Sequence, residues 1–238
     1  MLAKCWNRLE SLSFYAPLLA LYLIALPILS LSRAGLMLWQ SERVAATGIW
    51  PEILLQGLRV DLIQLGLLVI IPLLLAPLFF HRAAWAWWRR FMFFWVVACV
   101  TLLVFMEATT PGFIGEYDTR PNRLFVEYLK YPEEVVPMLW NGFRVHVFGA
   151  LGMLVLTVWA GVRCMRPWLV QPRPASNWKH WLALPLVVLL VVFSVRSTTD
   201  HRPANPSMFA LTSDTMVNTL IMNSTWSVLH AIYNLKHE

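Results

Sequence analysis

Five long apolar runs constrain this chain more than any other feature. They cover residues 14–39, 54–80, 91–105, 145–162 and 181–195. Crossing a bilayer takes roughly 17–25 helical residues, because the hydrocarbon core is about 30 Å thick and each residue rises about 1.5 Å. The third and fifth runs are short but extend by a few residues, toward Trp88 and Thr109 and to Arg196. Lipid offers the backbone no hydrogen-bond partner, so each run is predicted to be a helix. With 58% hydrophobic and 13% charged residues, the chain has too little charge to cover a soluble surface. The expected class is all-α integral membrane with five transmembrane helices. The first run, after Lys4 and Arg8, is too long for a signal peptide and is expected to stay as an anchor.

Orientation follows from the basic residues. If the N-terminus lies inside, the cytoplasmic pieces carry Lys4, Arg8, Arg82, Arg89, Arg90, Arg163, Arg166, Arg173 and Lys179 against one acid, Glu10. The outer pieces hold ten basic residues and twelve acids. The positive-inside rule then predicts N-in and C-out. Trp39, Trp50, Trp85, Trp87, Trp88, Trp140, Trp168, Trp178 and Trp181 fall near run ends, where indole favours the headgroup layer. The predicted division is a five-helix domain over 1–195, with an outer loop over 106–144, and an extracytoplasmic segment over 196–238.

That loop is longer than ordinary connections, which points to a functional surface. Asn122 is placed to cap a short helix bearing Leu124, Phe125, Tyr128 and Leu129, and a second short helix is expected over 132–140. In the C-terminal segment, Val217, Leu220, Ile221, Val228, Ile232 and Leu235 recur at helical spacing, with Ser213 or Asp214 as cap. One amphipathic linker helix over 216–235 is predicted, suited to a membrane surface or the flank of a partner domain.

Charged residues at the outer span ends are the candidate functional groups: Arg33, Arg59, Asp61 and Glu107. Charge at such depth is costly unless paired. These four could neutralise one another and fix helix register. A surplus arginine could also join Arg120 and Arg123 around a lipid phosphate, which the planar guanidinium grips with two parallel hydrogen bonds. Glu116, Tyr117, Asp118, Arg120 and Arg123 crowd the outer loop, as a binding patch for a glycerol or sugar headgroup or as a solvated ion-pair patch. The six histidines form no H-E-x-x-H or other ligand pair on one helix face, so no metal site is expected within the chain. No nucleophile elbow, phosphate loop or dinucleotide fingerprint is present. Cys5, Cys99 and Cys164 are scattered and read as structural thiols. No basic run with interleaved aromatics suggests nucleic acid.

Four stretches carry a resemblance: GLRVDL at 57–62, EYDTRPNRLFVEYLKYPEEV at 116–135, RSTTDHRPANP at 196–206 and NTLIMNSTWSVLHAIYNL at 218–235. Together they resemble the membrane half of bacterial lipoteichoic-acid-synthase-type proteins. These belong to the alkaline-phosphatase/sulfatase superfamily, with phosphoglycerol transferases of Gram-negative envelopes among them. The resemblance implies five membrane helices, N-in, followed by an outward sulfatase-like domain. In the family that domain supplies a threonine nucleophile and the ligands for manganese or magnesium, and moves a phosphoglycerol-type group from an anionic phospholipid. No residue of this chain matches those catalytic groups, so the sulfatase-like domain is expected in cis beyond residue 238 or in trans.

Two functions are therefore open. The chain is the anchoring and headgroup-guiding module of such a transferase, without catalytic residues of its own, with Arg33, Arg59, Asp61, Glu107, Tyr117, Asp118, Arg120 and Arg123 as candidate headgroup contacts. Alternatively, it is a standalone, non-enzymatic membrane protein that binds anionic lipid or scaffolds a partner. Transport is disfavoured, because apart from Gln64 the middles of the spans offer few polar groups.

Overall fold

The computed structural model describes residues 14–172, 178–197 and 204–236, and the described residues form helices and turns with no strand among them. Five helices are long and apolar enough to cross a membrane: α1 (Ala16–Trp39), α3 (Trp50–Leu75, continued as a 3₁₀ turn to Phe79), α4 (Trp85–Tyr117), α7 (Arg144–Leu169) and α8 (Trp178–Arg196). Short helices fill the connections: α2 (Ser41–Thr47), α5 (Arg123–Tyr128), α6 (Pro132–Gly142), α9 (Thr215–Ile221) and α10 (Ser224–Leu235).

The spans pack against one another in pairs. Helix α1 packs on both α3 and α4, α7 lies along α4, and α8 lies along α3. Only the central three are deeply covered. None of the most apolar stretch of α7 is buried by protein, which leaves that helix largely to lipid. Pro27, Pro72, Pro111, Pro167 and Pro185 sit inside spans, a placement membrane helices accommodate through neighbouring groups.

The end of the bundle bearing the 80–90 loop is locked by aromatics. Phe14 meets Phe80 edge-on at 4.5 Å and stacks on Trp88 at 4.9 Å. The indole N–H groups find backbone acceptors: Trp88 donates to the Phe14 carbonyl, Trp85 to that of Gln171, and Trp168 to that of Arg89. Of the nine tryptophans expected at the headgroup layer, Trp85, Trp88 and Trp168 are therefore core residues, and the other six are exposed.

At the opposite end, two expectations change. The third span does not stop near residue 105. Helix α4 runs to Tyr117, so twelve residues assigned to the outer loop are helical. At 33 residues it is about 50 Å long, well beyond the ~30 Å hydrocarbon core. Glu107, Thr109 and Thr110 read as polar loop, but Glu107 has a buried partner and both threonine hydroxyls donate back to the Met106 carbonyl. The short loop helices appear as expected, with the Asn122 side chain accepting from the Leu124 N–H.

The second change concerns the C-terminal segment. The predicted single helix over 216–235 is two helices, broken where Met222 and Asn223 turn extended. Asp214 caps α9 and Asn223 caps α10. The stripe predicted for a membrane surface or partner is largely consumed inside the chain. Met216, Val217, Leu220, Ile221 and Trp226 form a second core with Phe209, Leu36, Ile53, Val60, Ile63 and Ile114. Leu229, Ile232 and Tyr233 of α10 stay exposed.

Candidate functional site

The α9–α10 break sits on two buried ion pairs. Arg33 of α1 donates to both oxygens of Asp61 on α3, at 2.7 and 2.8 Å, with the side chains 1% and 0% exposed. Its Nε donates to the Leu220 carbonyl at 3.2 Å, and Asn223 Nδ2 donates to Asp61 Oδ1 at 3.1 Å. Gly57 lies one helical turn before Asp61, on the same face. A Cβ there would collide with the Arg33 guanidinium, so the missing side chain gives the arginine its path.

The second pair lies beside it. Arg120, just past α4, donates through Nη1 to both oxygens of Glu107, at 2.8 and 2.9 Å. Ser32 Oγ donates to Glu107 Oε2 at 2.5 Å, and the Ser224 N–H donates to Oε1 at 2.9 Å. The Ser224 hydroxyl accepts from Arg120 and shares a 2.6 Å hydrogen bond with Thr110. Two adjacent residues of α1, Ser32 and Arg33, thus each hold one acid. So do two adjacent residues of the break, Asn223 and Ser224. A buried ion pair stands only if its remaining hydrogen-bonding capacity is also met, and here both carboxylates have several donors. The cluster fixes the post-span segment to three spans at once.

The structure divides the sequence candidates accordingly. Arg33 and Asp61 come together, as do Glu107 and Arg120, so Arg120 serves the acid rather than the loop patch. Arg59 stands apart from both pairs. It donates to Ser197 Oγ and to the Ser197 carbonyl, each at 2.7 Å, and ties α3 to the end of α8. Tyr117 shares a 2.5 Å hydrogen bond with Tyr128. Asp118 closes α4 in the left-handed conformation and meets Arg43. Arg123 engages Glu127 one turn along α5 and is 54% exposed.

Sequence reasoning missed Arg43, Ser32, Asn223 and Ser224. Asn223-Ser224-Thr225 attracts notice only as a glycosylation pattern, yet all three residues are buried. Arg43 joins Asp118 at 2.5 Å and Asp214 at 2.7 Å, and so clips the cap of α9 to α2. Its hydrogen bonds hold Asp214 below the usual carboxylate range, assisted by the N–H groups of Val217 and Met216. A depressed carboxylate contributes its full stabilisation above the ordinary Asp value of about 3.9 and loses it as pH falls through the lower folded value. Arg43→Ala is therefore expected to expose the 204–215 stretch to protease severalfold at pH 7, a cost of about 0.2–1 kcal/mol per exposed pair. The same variant should lose most of the wild type's drop in protection below about pH 4. Identical protease sensitivity and acid profile in the two proteins would remove the clip.

Helices α5 and α10 face each other across a cleft of about 500 Å³, lined by Leu124, Met222 and Leu235 among its apolar residues. Asn122, Arg123, Glu127, Ser227, His230 and Asn234 contribute its polar lining. Burial pushes His230 below its ordinary value, and its ring nitrogen meets the Asn234 amide at 3.2 Å. The volume falls within the range of small-molecule sites. Among the described residues, no three His, Cys, Asp or Glu side chains lie together so as to hold a metal ion. No protein-family model matches the chain, and no solved structure matches it.

Proposed function

We propose that this chain is the membrane-anchoring and headgroup-guiding module of a sulfatase-like phospholipid-headgroup transferase of the bacterial envelope. The N-terminus would face the cytoplasm, with the loop helices and α10 outside. The observation that carries this reading is the cleft between α5 and α10, with Arg123 in its lining. Its walls come from three of the stretches that bear the family resemblance, 116–135, 196–206 and 218–235. Arg33 and Arg120 hold buried acids, whereas Arg123, paired with Glu127, lies in the cleft lining and would meet an anionic headgroup there. The hydrogen-bonded cluster at the α9–α10 break would hold α10 rigid, so that a sulfatase-like domain in cis or trans meets the lipid at a fixed height. Nucleophile and metal would belong to that domain.

The test is native mass spectrometry of the purified chain with phosphatidylglycerol and phosphatidylcholine in competition. Wild type should retain phosphatidylglycerol preferentially. Arg123→Ala should cut that preference about tenfold, since hydrogen bonds to charged groups contribute about 1.5–3 kcal/mol. Arg123→Lys should restore part of it through charge alone. No preference in wild type, or a preference untouched by Arg123→Ala, would overturn the assignment.

A further inference from the structure

The other face of α5 borders a second cavity, of about 360 Å³, enclosed by the outer half of α4, helix α6 and the start of α7. Its composition changes along its length. Phe105 on α4 and Leu151 on α7 form one end, and Phe113, Phe125, Leu139 and Val147 line the walls. Glu116 and the hydrogen-bonded phenols of Tyr117 and Tyr128 lie at the other end. From Phe105 to Tyr117 the cavity follows α4 for about 18 Å, at about 1.5 Å per residue. The antiparallel course of α7 agrees: His146 lies beside Gly112, so Leu151 falls deeper, toward Phe105.

We infer that this cavity is a binding slot for one acyl chain of a membrane phospholipid. Three observations select that occupant. The apolar end points toward the middle of the spans and the polar end toward the loop, which is the polarity order of a lipid in that leaflet. Leu151 both lines the slot and belongs to the exposed apolar face of α7 with Val145, Phe148, Val155 and Trp159, so the slot adjoins the face left to lipid. The lining contains a carboxylate and no lysine or arginine, so nothing there selects an anionic headgroup. The slot thus differs in ligand preference from the Arg123-lined cleft on the opposite face of α5. It rests on the lining of this cavity alone and stands whether or not the chain serves a transferase.

The experiment uses the full chain in nanodiscs of phosphatidylcholine with traces of two phosphatidylcholine probes, one carrying a diazirine at the end of one acyl chain to reach Phe105 and one carrying it near the acyl carboxyl to reach Phe113. Adducts are mapped by mass spectrometry after illumination. Labelling of Phe105 and Phe113 should exceed that of the openly lipid-facing Val155 and Trp159 at least threefold. Ala150→Trp, which fills the slot from α7, should reduce the Phe105 and Phe113 adducts about fivefold and leave those at Val155 and Trp159 unchanged. Ala108→Phe fills it from α4 and should do the same, so the test survives misfolding of either variant. Equal labelling of slot and open face in wild type would overturn the slot, as would labelling that persists in both filled variants. A phosphatidylglycerol probe should label equally well, and labelling confined to that probe would also overturn it. Arg123→Ala should leave slot labelling intact, which separates failure of the slot from failure of the headgroup cleft.

Discussion

Asp61→Ala is expected to destabilise the protein by about 3–5 kcal/mol, because removing one partner strands the other charge in the interior. Arg33 would be left 1% exposed with only the Leu220 carbonyl to accept from it. Asn223 would lose its acceptor at the same time, and with it the restraint on the cap of α10. The damage should therefore reach well beyond α3. Thermal unfolding in detergent, followed by tryptophan fluorescence, should show a lower midpoint, and protease should cut within 204–236 before the spans give way. The control is the double variant Arg33→Leu/Asp61→Leu. Replacing a buried pair by apolar side chains is often neutral, so the double variant should recover most of the loss. If the single variant melts like wild type, the pair does not hold the segment. If the double variant is as poor as the single, the cost lies in packing rather than in the uncompensated charge.

Glu107→Ala should have an effect of similar size for a related reason. This carboxylate accepts from Ser32, Arg120 and the Ser224 backbone, so its removal orphans a buried guanidinium and a buried N–H together. About 3–5 kcal/mol is expected from the broken pair. The distinguishing readout is hydrogen exchange. The last turns of α4, from Thr109 to Tyr117, should lose protection along with α10, because Glu107 is where that extension is tied to α1 and to the C-terminal segment. Loss confined to α10 would show that the α4 extension stands without Glu107. Since the two acids are held by neighbouring residues of α1 and of the α9–α10 break, their effects should couple by more than about 0.5 kcal/mol in a double-mutant cycle. Strict additivity would mean two independent locks.

Much of the architecture is legible along the chain, because it depends on local properties. Hydropathy over a span-length window marks the five helices, and the requirement for internal backbone hydrogen bonding makes them helical. Caps are equally local. Asn122 and Asp214 each accept from backbone N–H groups two or three residues ahead; spacing alone points to Asn122 and narrows the second cap to Ser213 or Asp214. The end of the third span could not. Glu107, Thr109 and Thr110 score as polar whether or not a partner awaits them, and the partner decides whether helix or loop follows.

The arginines show the same divide. Sequence places Arg33, Arg59, Asp61 and Glu107 at similar depth and predicts that intramembrane charges pair. It does not say which pairs form, because that depends on the rotation of each helix about its axis. Packing turned Arg33 across Gly57 onto Asp61, brought Arg120 back over the end of α4 to Glu107, and sent Arg59 to Ser197. Periodicity also gave 217–235 one continuous apolar stripe. Only the tertiary structure shows that its first half is core and that the break at Asn223 answers to Asp61 and Glu107, more than a hundred residues away in the chain. By itself the sequence determined the number, centres and helical character of the spans, since lipid leaves the backbone no other choice. The tertiary structure decided which charges meet and where the post-span helix breaks, since those depend on side chains from distant segments satisfying one another out of reach of water.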